Sequence, residues 1–331
     1  LKAFSSFTDW INFVTSRCHM CHEVTLAIIG LLYEMADNCL VYLADCPAAT
    51  NCDFSAFSAQ LGESLKFKDN LASAQFFIFS IMLCAQYASA NARSTSADSD
   101  DQQRFAELRL FMELLNFFLG HEFELRLYRD PATEPHRNGA SVNPSPLGAV
   151  DVTIVCLGYL LPLLTESILR EPDFCSKFYS LVSYALELRA EGLVHLSDSN
   201  VAHLGRLVRL GLFQGSDASQ TSVSIGCLEV ITCLTDCCLD VITSTAASSE
   251  GRDDRESPAV AAAGTDSSWR LQLSRRIIAN FPLDKSLFSD LFCLVLGPVF
   301  SAELETYLST CLLALIHLNP VTNSLLLLLQ R

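Results

Sequence analysis

From Phe105 the apolar residues of this chain fall at Phe105, Leu108, Met112, Leu115 and Leu119. That i, i+3, i+4 spacing lines one face of a helix; a strand alternates its side chains and would scatter them over two faces. The stripe recurs at Val201, Leu204, Val208 and Gly211, and again at Leu304, Tyr307, Leu308, Cys311, Leu312 and Leu315. Sustained alternation is missing. The 14 Gly and 11 Pro among 331 residues fall below ordinary usage, which argues against turn-rich β designs. The chain reads as all-α. Half of its residues are apolar and 18% are charged, so a large core is available and bulk disorder is excluded.

The period predicts helices over residues 4–16, 20–44, 53–64, 70–90, 101–129, 148–170, 173–189, 197–213, 219–244, 267–280, 284–297 and 302–318, with a short one near 321–330. Asp53, Ser197 and Asp284 are placed to accept hydrogen bonds from the orphan N–H groups of a first turn. Pro172 separates Glu171 from the helix that follows. Three polar segments, 91–100, 130–147 and 243–267, interrupt the pattern. The last two bury too little to offset their ordering entropy and read as flexible inserts between helices. Without them the helices come in pairs of about 40 residues, the period of HEAT and armadillo stacks. The expected architecture is an α-solenoid of HEAT-like antiparallel helix pairs, running as one unit over residues 1–331.

Charge and cysteine usage narrow the function classes. With 22 basic against 37 acidic residues, net −15, the chain is poorly suited to gripping phosphate backbones, and no nucleic acid is expected as partner. The 14 cysteines sit mostly in apolar stretches, where a free thiol acts as a small hydrophobe. The N-terminus LKAFSSFTDW lacks the basic and apolar regions of a targeting signal. A reduced, intracellular protein is expected, and the start at Leu1 suggests a piece of a longer one. The strongest apolar run, Val152 to Leu164, is short for a bilayer, holds Pro162 and is closed by Glu166, so no membrane span is expected.

Cys18-His19-Met20-Cys21-His22 is the sharpest local pattern. It matches the haem-attachment spacing, but that chemistry belongs to an oxidising compartment. Cys18, Cys21 and His22 would give zinc three soft ligands where a structural site needs four, and Cys39, Cys46 and Cys52 lie further off. Cys233 and Cys237 are i, i+4 on one helix face beside Cys238, and read as packing. His121, His136, His195, His203 and His317 are scattered singly, and Glu122 and Glu124 flank Phe123 without sharing a face. No Gly-x-Ser-x-Gly, phosphate loop or His-Glu-x-x-His is present. The chain is read as a non-enzyme with no catalytic, cofactor or metal residues. Glu107, Glu113, Glu122, Glu166, Glu187, Glu229, Glu303 and Glu305 interleave with the stripes. Most belong to solvated faces, and on the inner helices of a solenoid such carboxylates could meet a basic partner.

One stretch carries a resemblance. Residues 149–189 hold an apolar helix ending LLPLL, a Pro-bearing turn, and a helix with Phe174, Cys175, Phe178, Tyr179, Leu181 and Val182. Then follow a short helix with Leu204 and Leu210, and a small-residue turn before Ile225, Cys227, Leu228, Glu229 and Leu234. This resembles the C-terminal part of the exportins, nuclear transport receptors of the importin-β (karyopherin) superfamily. The resemblance implies a HEAT-repeat solenoid that binds protein cargo with Ran-GTP, passes nucleoporins and shuttles between nucleus and cytoplasm. In the subgroup most resembled the implied cargo includes translation factor 5A. The matched positions are core positions, so no cargo- or Ran-binding residue is carried over.

Overall fold

The computed structural model describes residues 21–44, 71–91, 101–128, 148–213, 221–250, 273–281, 285–295 and 302–318. Within them 94% of residues are helical, none lies in a strand, and 11 helices pack against one another. The all-α reading therefore holds. The expected helices 4–16, 53–64 and 321–330 lie outside the described residues, as do the caps Asp53 and Asp284 and the 130–147 insert.

The described helices fall into two compact units, divided between Leu164 and Thr165. The first holds α1 (His22–Ala44), α2 (Leu71–Asn91), α3 (Asp101–Tyr128) and α4 (Ala149–Leu160). Here α1 packs on α3 and α2, and α4 packs on both α2 and α3. The stripe Leu108, Met112, Leu115, Leu119 is buried, together with Phe77, Ile81, Phe111 and Phe118. Edge-to-face rings join the helices: Tyr33 with Phe117 at 6.1 Å and Phe77 with Phe118 at 5.3 Å between centroids. Tyr87 donates to the buried Glu107 carboxylate at 2.7 Å, so the polar pair shares one hydrogen bond inside the core.

The expected single helix over 148–170 is broken. α4 opens with the Gly148 N–H donating to Asp151 Oδ2 at 3.0 Å, half of a capping box. It stops at Leu160, because Pro162 cannot donate to the ladder and sits instead in a 3₁₀ turn over Leu161–Leu163. Thr165 is extended before the single turn α5 (Glu166–Leu169).

The second unit continues with α6 (Pro172–Arg189), a 3₁₀ helix over Ala190–His195, α7 (Asp198–Leu212), α8 (Thr221–Glu250), α9 (residues 273–280), α10 (Lys285–Val295) and α11 (Ala302–Leu318). Pro172 occupies the first helical position of α6, where its missing N–H costs nothing. Ser197 caps α7 as expected, its Oγ accepting from the Asn200 N–H at 3.2 Å. α8 runs to Glu250, so the first residues of the expected 243–267 insert are helical; Ala246 and Ala247 are good helix formers that carry it past Thr245.

α8 is the axis of this unit. It packs on α6 along one flank and α11 along the other, with α7 against it and α10 against α11. Arg209 of α7 pairs with Asp290 of α10. α8 thus lies beside α6, α7 and α11, and α10 lies beside α11. At the α6–α7–α8 junction two glycines admit Tyr179. A Cβ on Gly211 would lie 2.6 Å from the Tyr179 ring and from Cys227 Sγ, and one on Gly226 would lie 3.1 Å from Tyr179 Cβ. The Tyr179 hydroxyl donates to the Leu207 carbonyl. Arg276 of α9 spends its guanidinium fork on the end of the 3₁₀ helix: Nη1 reaches the Leu193 and Val194 carbonyls, each at 3.3 Å, Nη2 the Leu196 carbonyl, and Nε the Asp198 carboxylate.

Candidate functional site

α6 and α8 bring together polar residues that are far apart in sequence. Ser183 Oγ on α6 donates to Glu229 Oε2 on α8 at 2.9 Å. One turn on, Glu187 of α6 stands with Glu229 and Asp236 around Cys233 of α8. The Cys233 thiol is pushed up to about 11, first by its partial burial and then by the charges of Glu187, Asp236 and Glu229. Glu187 and Asp236 are exposed and Glu229 is half-buried. α8 also meets α11, where the buried Cys311 shares a hydrogen bond with the Thr232 side chain near Asp236. The result is a carboxylate ledge along α8, edged by α6, that presents negative charge and hydrogen-bond acceptors.

Such a ledge disfavours thiolate chemistry. A nucleophilic cysteine needs positive surroundings that lower its pKa. Here burial first of all pushes Cys175, Cys238 and Cys311 up to about 12, and Cys227 well upward. These thiols keep their protons at neutral pH and fill space. The half-buried Cys233 and Cys237 and the buried Cys238 line α8 as the packing reading of that helix expects.

Among the described residues the remaining candidates are not brought together. Cys18, His19 and Met20 lie outside the described residues, while Cys21 is exposed and its carbonyl takes the Thr25 N–H at 3.0 Å and hydroxyl at 3.2 Å. Cys46, Cys52 and His136 are also outside the described residues, as are the side chains of His22, Cys39, His121, Glu122 and Glu124. Among the described residues no group of three or more His, Cys, Asp or Glu could hold a metal ion. His203 bonds Arg206 at 3.0 Å on exposed surface, His317 is exposed, and His195 closes the 3₁₀ helix. Glu107 is buried against Tyr87, Glu113 pairs with Arg109 at 3.2 Å, and Glu166, Glu303 and Glu305 are exposed.

Of the eight acids that interleave with the stripes, Glu187 and Glu229 meet on the ledge. The sequence did not point to Asp236 or Ser183; the signal would have been their register one helical turn from Cys233 and Glu187, legible only once α6 is known to lie on α8. Among the described residues one stretch, Thr221–Leu239, is long and apolar enough to cross a membrane, and half of it is buried inside the unit. The Val152–Leu164 run is the shorter apolar helix α4 with its 3₁₀ turn. No protein-family model matches the chain, and no solved structure matches it.

Proposed function

We propose that this chain is the C-terminal part of a nuclear export receptor related to exportin-4, built as a HEAT-like α-solenoid, which binds protein cargo with Ran-GTP and carries it through the nuclear pore. The observation that supports the reading is that α8 packs on α6, α7 and α11, and α10 on α11, so that helices neighbouring in sequence lie side by side as stacked helix pairs would. Most residues that bear the resemblance supply its core: Phe174, Cys175, Phe178, Tyr179, Leu181, Val182, Leu204, Cys227, Leu228 and Leu234 are buried, while Leu210, Ile225 and Glu229 are half-buried. In such receptors repeated helices present extended surfaces rather than a pocket, and the Glu187–Glu229–Asp236 ledge is the surface we assign to a basic partner. The protein would shuttle between nucleus and cytoplasm past nucleoporins, with translation factor 5A as the cargo to try first.

The test is binding of the full-length parent chain to Ran loaded with GTP or GDP, with and without translation factor 5A. GTP-selective binding that cargo strengthens is the expected result, and linkage requires Ran-GTP to raise cargo affinity by the same factor. Loss of cargo on binding Ran-GTP would mean import. No binding to Ran in either state would leave a helical-repeat scaffold for other protein complexes.

A further inference from the structure

In a chain of net charge −15, α7 is a cationic helix: after Asp198 it holds no acid, and it carries His203, Arg206 and Arg209. Its two ion pairs lie along one edge. Asp198 meets Arg276 of α9, and Arg209 meets Asp290 of α10; the two positions are about three turns apart and so share a side of the helix. The outward face beside that edge is open. His203, Arg206, Leu210 and Phe213 follow one another at i, i+3, i+7 and i+10, which lines them up in a single stripe. Arg206 is exposed, Phe213 is 48% exposed, and His203 and Leu210 are half-buried. Arg206 Nη2 donates to His203 Nδ1 at 3.0 Å, and among the described residues Arg206 enters no ion pair. A guanidinium has further N–H groups to give and can only donate.

We propose that this stripe docks an acidic amphipathic helix of a partner protein, with a carboxylate on the Arg206 fork and a large apolar side chain over Leu210 and Phe213. Charge complementarity selects the partner. A guanidinium takes a carboxylate through two parallel hydrogen bonds, and the acids at the edge of α7 are already paired with arginines, so they leave the attraction uncancelled. The apolar end selects a protein helix over a nucleic acid. A polyanion would need a run of cations and would be repelled by a chain with 37 acidic against 22 basic residues, whereas an amphipathic helix brings acid and apolar side chains together. Spacing sets the pattern. Arg206 and Phe213 are two turns apart, about 10 Å along the axis, so a helix lying along α7 should carry its acid and its apolar anchor at i and i+7. The stripe takes a partner of opposite sign to that of the α8 ledge and does not depend on the export reading.

A display library of helical peptides, each about 15 residues long so as to run the length of α7, is selected against the full chain. The expected enrichment is Asp or Glu at i with Leu, Ile or Phe at i+7. A synthetic alanine-based peptide with Glu and Leu at those positions should slow amide exchange over residues 199–213, and added salt should weaken its binding. Arg206→Glu and Phe213→Ser should each weaken it roughly tenfold. Both side chains are exposed, so the urea midpoint of either variant should stay where it is. Arg109→Glu changes the net charge as much as Arg206→Glu does, but on α3, and should leave the affinity unchanged. A selection that enriches no peptide or shows no acidic preference would overturn the docking stripe. So would binding that survives Arg206→Glu, an equal loss with Arg109→Glu, protection confined to other helices, or a U-rich RNA that binds more tightly than the peptide.

Discussion

In the first unit the central helix is sealed: nine of the 12 residues of α4 are buried, among them Val152, Ile154, Cys156 and Leu157. In the second unit the central helix keeps one side open. α8 buries Val223, Cys227, Leu228, Val230, Ile231 and Leu234 but leaves Glu229, Thr232 and Cys233 half-buried and Asp236 exposed. Both helices turn a buried threonine hydroxyl back to their own carbonyl, Thr153 to Ala149 at 2.9 Å and Thr235 to Ile231 at 2.7 Å, so that neither hydroxyl is stranded. What differs is how neighbours are held in register. The first unit relies on ring-to-ring packing and one buried Tyr87–Glu107 hydrogen bond. The second adds a tyrosine seated on two glycines, a serine–glutamate bond and an arginine fork. A sealed helix is a packing element; a helix with an open polar side can also offer a surface. That difference is why the ledge on α8, and not α4, is assigned to a partner.

Truncating the aromatic anchors should give the largest effect and measure both units at once. Tyr179→Ala and Phe118→Ala should each cost about 3–5 kcal/mol, read by urea unfolding. Hydrogen exchange should show the loss from Tyr179→Ala within α6–α8 and that from Phe118→Ala within α1–α4. Loss spread evenly over both units in either variant would erase the distinction between them. Gly211→Ala drives a methyl into the Tyr179 ring and Cys227, and should cost about 1–3 kcal/mol in the same measurement. If Gly211→Ala is neutral, the seat is looser than the geometry shows.

Arg276→Lys keeps the charge but loses the fork, and should cost about 1–2 kcal/mol. Its readout is faster amide exchange over residues 190–200. The exposure of Asp198, whose side chain is 68% accessible, means that Asp198→Asn should cost far less than Arg276→Lys.

The buried thiols of the second unit make stability fall in alkali. Cys175, Cys238 and Cys311 are held near 12 in the folded chain against an ordinary value of 9.0. Between those values the unfolded state has lost protons that the folded state still binds, so ΔG of unfolding falls as pH rises from about 9 toward 12 and is level below that window. Unfolding midpoints measured from pH 7 to 11 check the direction, and Cys311→Ala should flatten the slope. Smallest of all, Arg109→Ala removes an exposed i, i+4 pair with Glu113 and should change stability by at most about 0.5 kcal/mol.

Much of the local structure was legible. The Ser197 cap and the extent of α1, α2, α3 and α11 follow from short-range rules, whereas Pro172, read as a break before the helix, is its first residue. Those rules act within a few residues, where backbone hydrogen bonding and side-chain spacing decide the outcome. The misses have the same origin. Pro162 was read as a mark against a membrane span, while its power to end α4 was overlooked. The further run of α8 to Glu250 was hidden because small and polar residues look like an insert yet carry no strong helix breaker.

The candidate site was legible in part. Glu187 and Glu229 could be marked as possible partner-facing acids, because a carboxylate between apolar stripe positions must turn toward solvent or find a donor. That Glu229 takes Ser183 and that Glu187 and Asp236 close around Cys233 could not be read in advance. By itself the sequence determined the helical class, the apolar faces and the acidic balance, because these depend on spacing and composition along one chain. Which helices lie side by side was decided by tertiary packing alone, because apolar burial is non-directional and pairs any complementary faces. The ledge exists only where that choice placed α6 on α8.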